Sequence, residues 1–402
     1  MNEEAKKEIF IHSLFRTGST YLFNVFRRSE RGYCCYQEPL NEHLLFACSK
    51  APEQLLDMNT EMSAYLHHPD IDKPYYYEFY LVADKVAEFF QEEFSYEQYF
   101  SHNCDEINSL KRYFDALANN GKGYSVFQCC RTMGRVKQLK TDNTELHIFL
   151  YRNPWDQWWS YNIDNYFGQR NVLIANAKDA PLFLVMLRKE LNLELDAINC
   201  TEQNLSSADS YKLFYAIWCH SFLEAKPYCD IEIDIDQLSQ SIVYRDEIYK
   251  NLGNLGLTKL DFSDCDIPTS THGKSEVDFY YEIELQIHEL LTSHGGYQLN
   301  ELTEIIMLSK MRISLVVDEE DSENYVRDVI KTKKITRRYM DKIAVARRDL
   351  SSSQLDVQQA RLDVQQARSK VQQFEAQLSE VYNSHSWQIT KPLRKIIQLI
   401  RR

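Results

Sequence analysis

The segment from Ile9 to Phe26, IFIHSLFRTGSTYLFNVF, constrains the fold of this chain more strongly than any other stretch. Its first residues are apolar and β-branched and predict a strand, whereas apolar residues at helical spacing near its end predict a helix. Between them lies a tight turn, residues 16–20, Arg-Thr-Gly-Ser-Thr. A helix that begins directly after such a turn presents backbone N–H groups and the positive end of its dipole to an anion. The segment therefore predicts a strand, a turn that binds a phosphate-like group, and a helix.

Two familiar nucleotide-binding loops are excluded for this turn. The nucleoside-triphosphatase loop requires a lysine after its last glycine, but Ser19 follows Gly18 and the nearest cation, Arg16, precedes it. The dinucleotide fingerprint needs three glycines, whereas Gly18 is the only glycine among residues 1–31. Two interpretations remain: an anion-binding turn of another class, and an ordinary corner between a strand and a helix.

A second segment, residues 145–161, reads ELHIFLYRNPWDQWWSY and again combines a strand with a helix. Residues 146–151 predict a buried strand, and Pro154 is well placed to begin the next helix. Arg152 ends the strand, and Ser160 lies eight residues further on. A guanidinium offers a planar fork to phosphate oxygens, and a serine hydroxyl two helical turns later adds another donor. The alternative is an arginine that caps the helix and a serine that faces solvent.

In this order, the two segments resemble the cofactor loops of sulfotransferases, which use 3′-phosphoadenosine 5′-phosphosulfate (PAPS). The resemblance implies an α/β fold of three layers, a P-loop-like parallel sheet flanked by helices. It implies that PAPS is the co-substrate, that no metal is needed, and that the first turn holds the 5′-phosphosulfate while Arg152 and Ser160 hold the 3′-phosphate. Arg16 would also stabilise charge during transfer. The cofactor-binding residues predicted in this way are Arg16, Thr17, Gly18, Ser19, Thr20, Arg152, Ser160 and Lys274.

Glu38 is the predicted general base. It lies in Tyr-Gln-Glu-Pro-Leu, residues 36–40, directly after a short run with strand character. This sequence resembles Golgi-type carbohydrate sulfotransferases, and related bacterial enzymes have their general base in this region. The resemblance therefore implies that the Glu38 carboxylate takes the proton of the acceptor hydroxyl. A carboxylate that merely begins a helix is the alternative.

Two further cations belong to the predicted site. Arg131 follows the predicted strand 124–130, and ligands of open α/β sheets bind at such strand ends, so it is a candidate contact for the sulfate or the acceptor; a salt-bridged surface arginine is the alternative. In sulfotransferases a basic C-terminal loop closes over the 3′-phosphate, and the resemblance implies this role for Lys274. Its Gly-Lys-Ser sequence does not complete a triphosphatase loop, because Pro268 stands where the first glycine is required.

Charge is distributed unevenly along the chain. The formal net charge is −13, but residues 331–402 carry a net charge of +10 and residues 1–330 a net charge of −23. An acidic body makes a broad nucleic-acid footprint unfavourable, and it also disfavours a highly anionic polymer as acceptor. We therefore expect no nucleic-acid partner, and the carbohydrate acceptor is what the resemblance to carbohydrate sulfotransferases implies. The ten cysteines show no zinc-ligand spacing and predict reduced, mostly buried thiols.

The C-terminal region predicts helices of two kinds. LDVQQAR occurs twice in succession within residues 355–368 and continues an apolar heptad seam. This seam predicts a parallel homodimer through residues 343–381, with a single helix folded back on the body as the alternative. Residues 384–402 are basic and amphipathic, which predicts binding to an anionic membrane surface or, alternatively, docking on a protein partner. This tail resembles the ends of bacterial polysaccharide-assembly enzymes.

The expected organisation is a catalytic domain over residues 1–330, a coiled-coil helix over 331–383 and a basic tail over 384–402. No signal peptide or long apolar span is evident, so the expected location is cytoplasmic and peripheral to the inner face of the membrane. The expected function is transfer of a sulfonyl group from PAPS to a hydroxyl of a carbohydrate or of a glycolipid or polysaccharide precursor. A nucleotide-dependent kinase-like P-loop enzyme and a non-catalytic coiled-coil scaffold are the alternatives.

Overall fold

The computed structural model describes residues 8–51, 54–55, 73–140, 145–161, 165–193, 205–268, 270 and 274–313. The chain divides into two units, Met1–Ile330 and Lys331–Arg402, and all of the described residues belong to the first. The predicted coiled coil over 331–383 and the basic tail over 384–402 therefore lie outside the described residues.

A five-stranded parallel sheet forms the centre of the fold. Its strands are β1 (Ile9–His12), β2 (Cys34–Gln37), β3 (Ser125–Cys129), β4 (Leu146–Tyr151) and β5 (Ile231–Asp234). The order across the sheet is β2-β3-β1-β4-β5, and every neighbouring pair is parallel. The prediction of an α/β fold with a parallel sheet flanked by helices is thus confirmed. The acidic strand β5 lies at an edge of the sheet.

Helices connect and cover these strands. Those that the structure describes are α1 (Ser19–Arg27), α2 (Leu44–Cys48), α3 (Tyr77–Tyr80), α4 (Ala83–Val86), α5 (Cys104–Asn120), α6 (Val136–Leu139), α7 (Pro154–Tyr161), α8 (Asn165–Ala175), α9 (Leu182–Glu190), α10 (Ser207–Ala225), α11 (Ile235–Gln240), α12 (Ile242–Asn254), α13 (Lys274–His294) and α14 (Thr303–Ile313). The predicted strand 146–151 and the helix start at Pro154 are both confirmed. Within this part of the chain, no helix has the length and apolarity that crossing a bilayer requires.

Successive side chains of a strand point to opposite faces of the sheet, and in β1 both sets are packed against other elements. Ile9 and Ile11 pack on one face in a cluster that includes Phe26 of α1. Phe10 points the other way and packs with Phe114 of α5. The sheet is therefore buried on both faces, as expected for strands joined by helical crossovers.

The order of the strands creates a topological switch point between β1 and β4. The chain leaves β1 toward β2 on one side of the sheet, whereas it leaves β4 toward β5 on the other side. Loops that diverge in this way leave a crevice at the carboxyl ends of the two strands, where open α/β sheets bind their ligands. The loops that border this crevice contain Arg16 and Arg152.

Candidate functional site

The turn after β1, which the sequence predicts to bind an anion, leads directly into α1. Gly18 caps α1 with φ of 86°, in the left-handed region that favours glycine. No acidic residue lies in the first turn of α1, so nothing there neutralises the positive end of the helix dipole. Gln157 of α7 donates a hydrogen bond to the Phe15 carbonyl at 2.7 Å and thereby ties the turn to the second predicted motif. The turn is thus tied to α7, and the positive end of the α1 dipole has no acidic side chain in its first turn.

Replacing Gly18 with alanine should destabilise the protein. A Cβ atom at this position would lie 2.9 Å from Cγ1 of Ile235, and the positive φ is itself strained for an L-residue. We expect a loss of about 2–3 kcal/mol in the free energy of unfolding, measured by denaturant titration. Gly253→Ala is the matched control, because Gly253 lies inside α12 and an alanine Cβ there would have nothing within 4 Å apart from the adjacent residues and the backbone of its own helix. Alanine there should be neutral or slightly stabilising, so equal effects of the two changes would contradict this account of Gly18.

Arg16 and Ser160, which the sequence assigned to two separate motifs, are in direct contact. Nε of Arg16 donates a hydrogen bond to Oγ of Ser160 at 2.9 Å. Arg16 has a positive φ of 64°, which is uncommon outside glycine, and its guanidinium lies over the ring of Phe167 at 5.5 Å from the centroid. The structure therefore brings the turn after β1 into contact with Ser160 of the predicted 3′-phosphate pair.

Arg152 lies beyond the end of β4 and is 4% exposed. Its Nε contacts Oδ1 of Asp236 at 3.3 Å, and its terminal nitrogen donates to the carbonyl of Pro268. Asp236 also accepts a hydrogen bond from the backbone N–H of Asn153 at 2.9 Å. These contacts hold the guanidinium in a fixed orientation at the crevice.

The electrostatics of the crevice favour an anion. Burial and the charge of Arg152 lower the pKa of Arg16 to about 10, so the repulsion between these two cations costs the protein stability. Burial also lowers the pKa of Arg152, although Asp236 opposes this shift. The pKa of Asp236 itself is raised by burial despite its arginine partner. A multiply charged anion would compensate the two guanidinium groups.

Glu38 lies at the end of β2 and has a positive φ of 46°. Its Oε1 accepts hydrogen bonds from Nε2 of Gln128 at 2.9 Å and from the backbone N–H of Cys130 at 3.1 Å. Its Oε2 accepts from Nη1 of Arg131 at 2.6 Å. The predicted base is thus a fixed carboxylate at the same end of the sheet as the turn.

Arg131 is buried and bridges two carboxylates. It is 1% exposed, and it contacts Glu38 at 2.6 Å and Glu42 at 2.7 Å. Glu42 is in turn 3.3 Å from Arg170, and these two arginines lower its pKa even though burial opposes this. The structure therefore places Arg131 beside the predicted base, as the partner that orients the Glu38 carboxylate.

The remaining predicted residues are distributed as follows. Thr17 is buried and donates to the Leu14 carbonyl, and Ser19 lies 3.7 Å from Sγ of Cys130. Thr20 is buried and lies 3.5 Å from Nε2 of Gln37. Lys274 is the first residue of α13, but its side chain and residues 271–273 lie outside the described part of the chain, so its predicted role is not tested.

Three residues at the site were not predicted from the sequence: Gln157, Asp236 and Glu42. Asp236 had a detectable signal, because it follows an acidic strand and lies in the first turn of α11, where carboxylates favour the helix dipole. Gln157 and Glu42 reach the site through long-range contacts, among them those with Phe15 and Arg131, which no local pattern indicates.

Among the described residues, no group of three or more His, Cys, Asp or Glu side chains is arranged to hold a metal ion. Comparison of the chain with models of known protein families, with curated proteins and with solved structures yields no match.

Proposed function

We propose that this protein is a PAPS-dependent sulfotransferase of P-loop-like fold that acts on a carbohydrate hydroxyl. The observation that carries this proposal is the convergence of Arg16, Arg152 and Ser160 at the switch point between β1 and β4. A buried guanidinium group, that of Arg152, and a partly buried one, that of Arg16, beside a helix N-terminus suit a ligand with two separate anionic groups. PAPS has a phosphosulfate at one end of its ribose and a phosphate at the 3′ position.

The proposed reaction is an in-line displacement at sulfur. The acceptor oxygen attacks the sulfur atom, the bond between sulfur and the 5′-phosphate oxygen breaks, and the acceptor proton passes to the Glu38 carboxylate. The products are the sulfated acceptor and 3′-phosphoadenosine 5′-phosphate. Arg16 and the backbone N–H groups of residues 17–20 stabilise the charge that develops on the leaving phosphate. The protein contributes mainly position and electrostatics, as in phosphoryl transfer.

Replacing Glu38 with glutamine should reduce kcat for sulfonyl transfer by about 10²–10⁴-fold, because the amide cannot take the acceptor proton. The affinity for 3′-phosphoadenosine 5′-phosphate should change little, since Glu38 does not bind the nucleotide in this proposal. The measurement is transfer from PAPS to a panel of glycans, with nucleotide binding followed by calorimetry.

Glu42→Gln is the matched control for this change. Both carboxylates contact Arg131, but only Glu38 is proposed to exchange a proton with the acceptor. We expect Glu42→Gln to retain most of the turnover. Near-normal turnover by Glu38→Gln would remove Glu38 from the role of base.

A kinase-like P-loop enzyme remains the alternative within the same fold class. It would bind ATP with magnesium, and it would need a lysine in the turn where Ser19 follows Gly18. Tight binding of ATP with magnesium and no detectable binding of 3′-phosphoadenosine 5′-phosphate would favour this alternative over the sulfotransferase. A non-catalytic scaffold would bind neither nucleotide.

The basic tail is proposed to bring the enzyme to an anionic membrane surface, where a lipid-linked acceptor would be assembled. Residues 387–402 contain five Lys or Arg residues and no acid. A chain that ends at Tyr382 should therefore co-sediment less with vesicles that contain anionic lipid. Unchanged co-sedimentation would contradict this role and favour a protein partner for the tail.

A further inference from the structure

A cavity of about 280 Å³ lies apart from the anion site and is lined in part by polar side chains. Its wall includes His220 and Glu224 of α10 and Tyr297, which follows α13. None of the residues predicted to bind PAPS or to act as the base lines this cavity. Its volume is near the lower limit for small-molecule sites.

Hydrogen bonds fix the tautomer of His220. The Tyr297 hydroxyl donates to Oε1 of Glu224 at 2.7 Å and lies 2.9 Å from Nδ1 of His220. A phenol has one proton, so once it donates to the carboxylate it can only accept from the histidine. Nδ1 therefore carries the proton of His220, and Nε2 has a lone pair.

The ring of His220 is neutral at ordinary pH. Burial is the largest cause that lowers its pKa, to about 4; His102 on the cavity wall acts in the same direction, whereas Glu224 opposes the shift. Within the described part of the chain, Nε2 has no hydrogen-bond partner. A neutral imidazole with an unused lone pair accepts a hydrogen bond from a ligand that donates one.

The rest of the wall defines the charge and shape of that ligand. Phe100 and Phe183 pack against the His220 ring, with centroids 5.4 Å away in each case, and both line the cavity. Glu224 forms no ion pair with any residue that the structure describes. Lys137 also lines the cavity, but its ammonium group lies over the ring of Tyr228, which is not part of the wall. The cavity thus combines a carboxylate that has no ion pair with the residues described, a hydrogen-bond acceptor and aromatic surfaces.

We propose that this cavity binds a small organic amine, with its ammonium group between Glu224 and Nε2 of His220 and its apolar part against Phe100 and Phe183. The ammonium group supplies the donors that both acceptors require and the positive charge that the carboxylate lacks. Aromatic rings also attract organic cations. This site is independent of the proposed sulfotransferase reaction, because it shares no residue with the anion site.

Three probes test the proposal: benzylamine, benzyl alcohol and benzoate, which share a phenyl ring with one attached carbon and differ in their polar group. Each is titrated against the full chain by calorimetry and ligand-observed NMR. We expect saturable binding of benzylamine with a Kd of about 1–20 mM, as suits so small a probe, and at least about tenfold weaker binding of benzoate. Benzyl alcohol as the tightest probe would overturn the amine in favour of a neutral hydroxylated ligand. Equal binding of benzoate, or no binding of any probe, would overturn the proposal outright.

Variants separate the polar recognition from packing. His220→Phe keeps an aromatic ring but removes Nε2, and Glu224→Gln keeps the side-chain volume but removes the charge. Each should weaken benzylamine binding by about tenfold, while the affinity for 3′-phosphoadenosine 5′-phosphate stays as in the wild type. Unchanged benzylamine affinity in both folded variants would show that His220 and Glu224 do not bind the ligand.

Discussion

Replacing Arg152 with alanine should raise the Kd for 3′-phosphoadenosine 5′-phosphate by about 100-fold, measured by calorimetry. Arg152 is buried at the switch point and held by Asp236, so its side chain is already ordered before it meets a 3′-phosphate. Loss of charge-assisted hydrogen bonds to a phosphate costs about 1.5–3 kcal/mol each, and about 2.7 kcal/mol corresponds to the expected change. Arg152→Lys keeps the charge but not the planar fork, and we expect an intermediate Kd.

Arg112→Ala is the control for this change. Arg112 is an exposed arginine on α5, remote in sequence from both anion motifs, and its removal should leave nucleotide affinity unchanged. Because Arg152→Ala leaves Asp236 buried without its partner, thermal unfolding of each variant must be recorded beside the titration. A folded Arg152→Ala protein with wild-type affinity would contradict the assignment of the 3′-phosphate site.

Replacing Arg16 with glutamine should reduce sulfonyl transfer by about 10²–10³-fold, the usual effect of losing one donor to charge that develops in the transition state. The same change should stabilise the protein without ligand. The folded state lowers the pKa of Arg16 to about 10, because burial and Arg152 disfavour the cation. In the unfolded chain neither burial nor Arg152 acts on Arg16, so at pH 7 the charged guanidinium lowers the free energy of unfolding by its full amount. This loss of stability is relieved only as the pH rises through about 10, where Arg16 loses its proton in the folded state. Removing the charge should therefore raise the free energy of unfolding by about 1–2 kcal/mol.

Arg135→Gln provides the contrast for this prediction. Burial also lowers the pKa of Arg135 to about 10, but this guanidinium donates to the carbonyls of Phe94, Gln98 and Arg131. Its removal leaves buried carbonyl groups without donors, so we expect a loss of about 1–3 kcal/mol. Denaturant titration of both variants, with and without 3′-phosphoadenosine 5′-phosphate, checks the pair. Destabilisation by Arg16→Gln equal to that by Arg135→Gln would show that Arg16 is a structural arginine.

The elements around the site could be predicted because each of them depends on a few neighbouring residues. The apolar run at residues 146–151 forms β4, and the proline at 154 is the first residue of α7. Gly18 likewise has the left-handed conformation that a tight turn before a helix requires. The parallel sheet, in contrast, was predicted from the resemblance to sulfotransferases and not from a local signal. The predicted coiled coil and tail remain predictions.

Neighbouring residues alone account for the turn at Gly18 and for the strand and helix around Arg152, and the composition accounts for the uneven distribution of charge. The contact of Arg16 with Ser160 across 144 positions, and that of Glu38 with Arg131 across 93, arise only when the chain folds. The same is true of the hydrogen bonds that join His220, Tyr297 and Glu224 at a cavity. The physical reason is that such contacts depend on strand order and register, which are set by burial of the whole core rather than by any one segment.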